Sequence, residues 1–216
     1  MRNGRLRHGR GDRARGGQRE ERERRGRVVG PAEPVHERGA SHARRPAVSP
    51  RHPRHITIRV RHDTWNLRSQ RCFSLLLAAF AKVRGRAGFR VVHFSVQGNH
   101  VHLLAEAQDR SALSRGMRAL LISIARRLNL LMGASGSRFE DRYHERALTT
   151  PSQVYNALRY VLCNRAHHQQ RALPSGRPFA DAYASARWEA SAPTPDPRFE
   201  SHLSGSRSWL LRSGFL

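Results

Sequence analysis

The chain has 216 residues and carries 40 Lys and Arg against 16 Asp and Glu, a formal net charge of +24 and a pI near 11.8. That length suits one ordinary domain with tails, and the charge points to a polyanionic partner, nucleic acid before an anionic membrane surface. No apolar run approaches the roughly 20 residues of a membrane span, and the two cysteines, Cys72 and Cys163, make no disulfide framework, which favours a reducing, cytoplasmic setting.

Residues 1 to 53 are dominated by Arg, Gly, Glu, His and Pro, with Val28-Val29 the one strong apolar pair, and are expected to be a disordered arginine-rich tail. It would be either a basic arm that holds nucleic acid without specificity or a passive extension. Order is expected from His55, where Ile56, Ile58 and Val60 alternate with Thr57, Arg59 and Arg61 in a strand with one apolar and one basic face. Ser69 can cap a helix to about Val83, with Phe73, Leu76, Leu77, Phe80 and Val83 at helical spacing. A strand over Phe89 to Gln97 then passes through Gly98-Asn99 into a second, which reads as a hairpin. From Ser111 to Met132 the spacing predicts a helix whose apolar stripe is Leu113, Met117, Leu120, Leu121, Ile124, Leu128 and Leu131. Phe139 to Leu148 reads as a fourth strand, and Thr150-Pro151-Ser152-Gln153 is a capping box that starts a helix reaching about Ala166.

The ordered elements follow the pattern β-α-β-β-α-β-α. The fold class is α+β, and the first six elements match a ferredoxin-like antiparallel sheet with two helices on one face. The expected organisation is a domain over 54–170 and a loop-rich tail over 171–216, in which Ser208-Trp209-Leu210-Leu211 docks on the domain. The second sheet face is expected to stay open, with Arg59, His100 and His102 on it.

The stretch Gln97-Gly98-Asn99-His100-Val101-His102-Leu103-Leu104 places two imidazoles two residues apart. Strand alternation sends both to one side, where they are either histidines on a wet face or a pair of ligands for one divalent cation. A search for partners leads to the last helix. Val154, Leu158, Val161 and Leu162 form its buried stripe, and a separate stripe at i, i+4, i+8 reads Asn156, Tyr160, Asn164. Tyr155 belongs with the packing face. Cys163 and His167 stand at i, i+4, but no second Cys/His pair completes a zinc tetrahedron.

These segments in this order, with Arg138-Phe139-Glu140-Asp141-Arg142-Tyr143 and Arg159-Tyr160-Val161-Leu162-Cys163-Asn164, resemble the HUH-type single-tyrosine transposases, most closely the REP-associated tyrosine transposases and related insertion-sequence enzymes. The resemblance covers about residues 54 to 170. It implies that His100 and His102 are metal ligands, that Tyr160 is the nucleophile, and that Asn164 supplies a further metal contact. Arg165 stands where the family has proline, Gly98 where proline often precedes Asn-His, and Phe139-Glu140 where Trp-Gln is frequent. None of these departures removes a reactive group.

The resemblance further implies a single-stranded DNA endonuclease and strand transferase that forms a 5′-phosphotyrosyl intermediate, acts on single-stranded or hairpin DNA as a monomer or homodimer, and uses Mg²⁺ or Mn²⁺. Hard phosphate and amide oxygens suit those ions better than zinc. Arg59, Arg61, Arg115, Arg118 and Arg142 are the candidate phosphate contacts. All but one of the basic side chains are arginine, Lys82 being the exception, and the guanidinium fork can make two hydrogen bonds to one phosphate. The competing expectation is a non-catalytic ferredoxin-like nucleic-acid binder, against which stands the lack of paired aromatics on the exposed strand faces.

Overall fold

The computed structural model describes residues 47–168, 180–189 and 192–215, all within one unit, Gly39–Leu216. The expected tail therefore lies outside the described residues as far as position 46. Its last part does not: Val48 packs against the core, and the Pro53 carbonyl accepts a bond from Leu148 N at 2.9 Å.

The elements are β1 (Arg54–Arg59), α1 (Gln70–Val83), β2 (Phe89–Val96), β3 (His100–Ala107), α2 (Arg110–Met132), β4 (His144–Ala147) and α3 (Pro151–His168). The four strands pair antiparallel in the order β2-β3-β1-β4, the ferredoxin-like arrangement. Local chemistry sets the boundaries. Ser69 Oγ accepts from Cys72 N at 3.3 Å to start α1, and Asp109 accepts from Ala112 N at 2.7 Å to start α2. Gly133, at φ +61°, ends α2 in the left-handed region. At α3 the capping box forms, with Gln153 N donating to Thr150 Oγ1 at 3.3 Å and Gln153 Oε1 accepting from Thr149 N at 2.8 Å. The fourth strand is shorter than the spacing predicts, because Phe139 makes one isolated bridge to Val60 and the chain then turns before pairing resumes at His144.

Period-two alternation divides the sheet. Ile56, Ile58, Phe94, Val101 and Leu103 face α1 and α2 and bury with Leu76, Phe80, Met117 and Leu120. α2 approaches so closely that a Cβ at Gly116 would stand 2.2 Å from the Phe89 ring, and Gly is what permits that contact. The expectation of an open second face is corrected. α3 lays Val154, Leu158, Val161 and Leu162 over Leu104 and Val92, since the apolar members of that face would otherwise be left in water. The covering is completed from the region expected to be a loop-rich tail. β5 (Ala186–Glu189) and β6 (Ala192–Pro195) form a hairpin, followed by a 3₁₀ turn (Pro197–Phe199) and α4 (Trp209–Arg212). Trp188, Leu210 and Leu211 join the α3 cluster, and Phe199 enters the α1/α2 core.

Two buried charges pin this segment. The Arg68 guanidinium donates to both Asp181 oxygens at 2.8 and 2.6 Å and lies 4.1 Å above the Tyr183 ring. The buried Glu106 carboxylate on β3 accepts from Arg207 N at 2.8 Å, Ser208 N at 2.9 Å and Ser208 Oγ at 2.7 Å. A Glu106→Ala substitution strands those donors and should cost about 1–3 kcal/mol, read as a lowered denaturant midpoint. His93, buried with its Nδ1 3.2 Å from Ser185 Oγ, has its pKa lowered by burial from the ordinary 6.5 to about 4. Between those values the unfolded chain binds the proton and the folded protein does not, so stability falls as pH drops from 6.5 to 4. At about 1.4 kcal/mol per unit, His93→Gln should remove about 3 kcal/mol of that acid loss, measured as a flatter profile of melting temperature against pH.

Candidate active site

The second face of the sheet delivers polar side chains in rows, because antiparallel register sets directly opposed residues on the same side. One row is Ser95, His102, Thr57 and His144, and its neighbour is His93, Leu104, His55 and Arg146. Arg59 stands opposite His100 at the end nearest the β2–β3 turn. That turn is the expected Gly98-Asn99 pair, closed by Gln97 N donating to His100 O at 2.8 Å.

The two histidines of the His-x-His pair lie side by side, with ring centroids 4.8 Å apart and planes nearly perpendicular. His102 is buried, and its Nδ1 is 3.1 Å from Thr57 Oγ1 and 3.2 Å from His55 Nε2. His100 Nδ1 is 2.8 Å from Asn99 Oδ1, an acceptor, so that nitrogen is the donor. In both rings these contacts fall on Nδ1 and orient the imidazole from that side. Among the described residues no group of three or more His, Cys, Asp or Glu is arranged to hold a metal ion. A site here therefore needs a different kind of ligand beside the imidazoles. Asn164 is 1% exposed, and its carboxamide nitrogen has no hydrogen-bond partner among the described residues. A carboxamide also carries an oxygen, a hard donor of the kind such a site would need beside the imidazoles.

α3 brings Tyr160 onto the same face. Its ring centroid is 5.2 Å from that of His102 and 5.8 Å from that of His55, both edge-on, while the residue remains 39% exposed. The helix does this because Val154, Leu158, Val161 and Leu162 bury against Leu104, which turns the Asn156, Tyr160 stripe toward the sheet margin. Tyr155 packs on Trp188 at 5.5 Å, the structural role expected of it. Cys163 is buried, and burial raises its thiol pKa to about 11, so it is inert at neutral pH. The side-chain pairing of Cys163 with His167 lies outside what is described.

Beside Tyr160 opens a cavity of about 520 Å³ lined by His55, Arg146, Gln153, Asn156 and Arg159 together with Leu148 and Ala157. His55 is held neutral there, its pKa lowered to about 4 by burial and then by the Arg146 guanidinium. His55, Thr57, Arg146 and Arg159 were not singled out in the sequence. The signal was available in part, since His55 and Thr57 occupy the polar positions of the alternating first strand.

The candidate arginines separate. Arg59 lies on the site face and pairs loosely with Glu140 at 3.8 Å, and Arg61 pairs with Asp63 at 3.3 Å, both exposed. Such surface pairs contribute about 0–1 kcal/mol. Arg142 is exposed on the turn before β4. Arg115 and Arg118 belong to α2, which covers the opposite face of the sheet, so they are not grouped with His100, His102 and Tyr160. The helical stripe could not reveal this, because it says which side of a helix is apolar and not which side of the sheet the helix covers.

No helix among the described residues is long and apolar enough to cross a membrane. No protein-family profile and no curated protein matches the sequence. Among solved structures, the fold is similar to a REP-associated tyrosine transposase bound to a REP hairpin, at 19% identity over 60% of this chain and 74% of that one, with a TM-score of 0.47. It is also similar to a candidate transposase from Deinococcus radiodurans R1, at 18% identity over 55% of this chain and 85% of that one, with a TM-score of 0.38.

Proposed function

We propose that this chain is a transposase-type, metal-dependent, single-strand-specific DNA endonuclease and strand transferase in which Tyr160 is the nucleophile. The observation that carries the reading is the meeting of Tyr160 with His102, at 5.2 Å between ring centroids, on a face that also holds His100. Two strand histidines and one helix phenol converge from segments about 60 residues apart, the juxtaposition that phosphotyrosyl chemistry requires. One chain supplies all three groups, so either a monomer or a homodimer can work without exchanging helices. The sequence resemblance to HUH-type transposases supports the same assignment.

His100, His102 and Asn164 would hold Mg²⁺ or Mn²⁺. When bound, that cation supplies polarisation of the scissile phosphate and offsets the charge that develops on it. Thr57 and Asn99 fix the imidazoles so that little reorganisation is needed. Tyr160 Oη gives up its proton to solvent and attacks phosphorus, the new Oη–P bond forms as the P–O3′ bond breaks, and the departing 3′ oxygen takes up a proton from solvent to leave a 3′-hydroxyl. One phosphodiester replaces another, so rejoining is the same step reversed.

Burial and the Arg146 guanidinium lower the His55 pKa to about 4, which makes it a poor proton acceptor. It is a positioning residue for His102. Arg146 and Arg159 line the cavity at the phenol, and their charge favours both phenolate and the approaching phosphate. Arg59, Arg61 and Arg142 extend the basic surface that would hold the strand.

Incubation of the full chain with a labelled single-stranded hairpin and Mn²⁺ or Mg²⁺ should yield a covalent adduct retained on a denaturing gel. Tyr160→Phe should abolish the adduct while leaving DNA binding intact. Binding without adduct in the unaltered chain would instead favour the non-catalytic binder, and an adduct surviving Tyr160→Phe would remove the nucleophile. His102→Ala should eliminate metal-dependent cleavage. Thr57→Val, which removes only the hydroxyl behind His102, should weaken metal affinity about 10-fold or more, read as a rise in the Mn²⁺ concentration giving half-maximal cleavage.

A further inference from the structure

A second cavity, of about 580 Å³, reaches the β4–α3 corner at Thr149 and Pro151 and is lined further by Pro50, Arg51, His52, Arg207 and Trp209. The corner is shared: Leu148 borders the cavity at Tyr160, and Thr149 and Pro151, the next residues, border this one. Trp209 is 62% exposed, although its chain neighbours Leu210 and Leu211 are buried. A large aromatic left in water on an anchored element is the unusual feature here.

Its setting is rigid. α4 is held at its start by the Glu106 carboxylate through Arg207 N and Ser208 N, at 2.8 and 2.9 Å. The indole leans on Gly214, where a Cβ would stand 2.6 Å from two ring atoms, and Gly214 N donates to Trp209 O at 2.8 Å. Both guanidiniums that line the cavity are on exposed residues, and neither Arg51 nor Arg207 has a side-chain ion pair among the described residues. A fixed aromatic face flanked by two available cations, on a chain of net charge +24, is the combination that holds a single strand by base stacking and phosphate contact.

We infer that this cavity is a second single-stranded DNA contact, in which a base stacks on Trp209 and the flanking phosphates are held by Arg51 and Arg207. It does not rest on chemistry at Tyr160. The shared corner allows one strand to run from the Tyr160 cavity to Trp209, so the site would grip DNA beside the cleavage position.

The test uses the full chain carrying Tyr160→Phe, so that no cleavage consumes the probe, and a fluorescein-labelled twelve-residue oligo-dT whose binding is followed by anisotropy at several salt concentrations. Trp209→Ala should weaken binding about 10-fold or more, with Trp209→Phe retaining most of the affinity. Arg51→Ala and Arg207→Ala should each lower the slope of log affinity against log salt by about 1. Gly214→Ala keeps the indole but displaces it, and should lose affinity in the same direction as Trp209→Ala. Circular dichroism on each variant identifies any that fail to fold, and the exposed arginine variants then carry the test. Unchanged oligo-dT affinity in folded Trp209→Ala would overturn the proposal. So would equal losses with Trp209→Ala and Trp209→Phe. Unchanged DNA affinity with altered sedimentation would assign the surface to contact between copies of this chain. None of these results depends on whether the Tyr160 adduct forms, so failure here and failure of the transposase reading are told apart.

Discussion

The antiparallel register of β1 on β3 is the constraint on which the rest depends. It sets Thr57 opposite His102 and Arg59 opposite His100, and it sends Ile56 and Ile58 to the other side with Leu103 and Val101. A slip of one residue between the two strands would bring the isoleucines of β1 and the imidazoles of β3 to the same face, leaving one set or the other in the wrong environment. Core formation and site formation are thus the same choice. The many apolar groups that must bury on one face hold the two histidines on the other, and no separate interaction is needed to aim them.

That second face is a compromise. Leu104 and Val92 call for an apolar cover, while His93, Ser95, His102 and Glu106 on the same strands call for polar partners. α3 and the C-terminal segment meet both demands. Their apolar residues cover Leu104, while Ser185 meets His93 and the backbone around Ser208 meets Glu106. A buried polar group is costly only when it lacks its bonds, and here the described bonds supply them at the β2 side. Toward β1 and β4 the cover ends, and there the phenol of Tyr160 stands at the margin, half in water beside the imidazoles. The chemistry is proposed where the packing stops.

Charge is distributed with the same economy. The excess is nearly all arginine, whose delocalised charge stays on at any working pH. Near Tyr160 the local cations are Arg146 and Arg159, and the nearby His55 is kept neutral by burial and by Arg146 itself. Positive potential is therefore supplied there by groups that do not titrate.

Much of this was legible in the sequence, for reasons of periodicity. Alternation in β1 and β3, helical stripes in α1, α2 and α3, and the capping box at Thr150 are local rules, so the element order, the ferredoxin-like class, the apolar stripes and the pairing of His100 with His102 could be read directly. The sequence also separated Tyr160 and Asn164 from the packing stripe of their helix. What only the tertiary structure decided is which face each helix covers and what reaches across. Arg115 and Arg118 lie beyond the sheet from the histidines because α2 packs on the apolar side, and a periodic pattern carries no information about that. His55 and Arg146 join Tyr160 through pairing between strands about 90 residues apart in the chain, and Glu106 finds the backbone at Ser208 across a similar separation. Such contacts depend on register and on the closing of long loops, which no local spacing encodes.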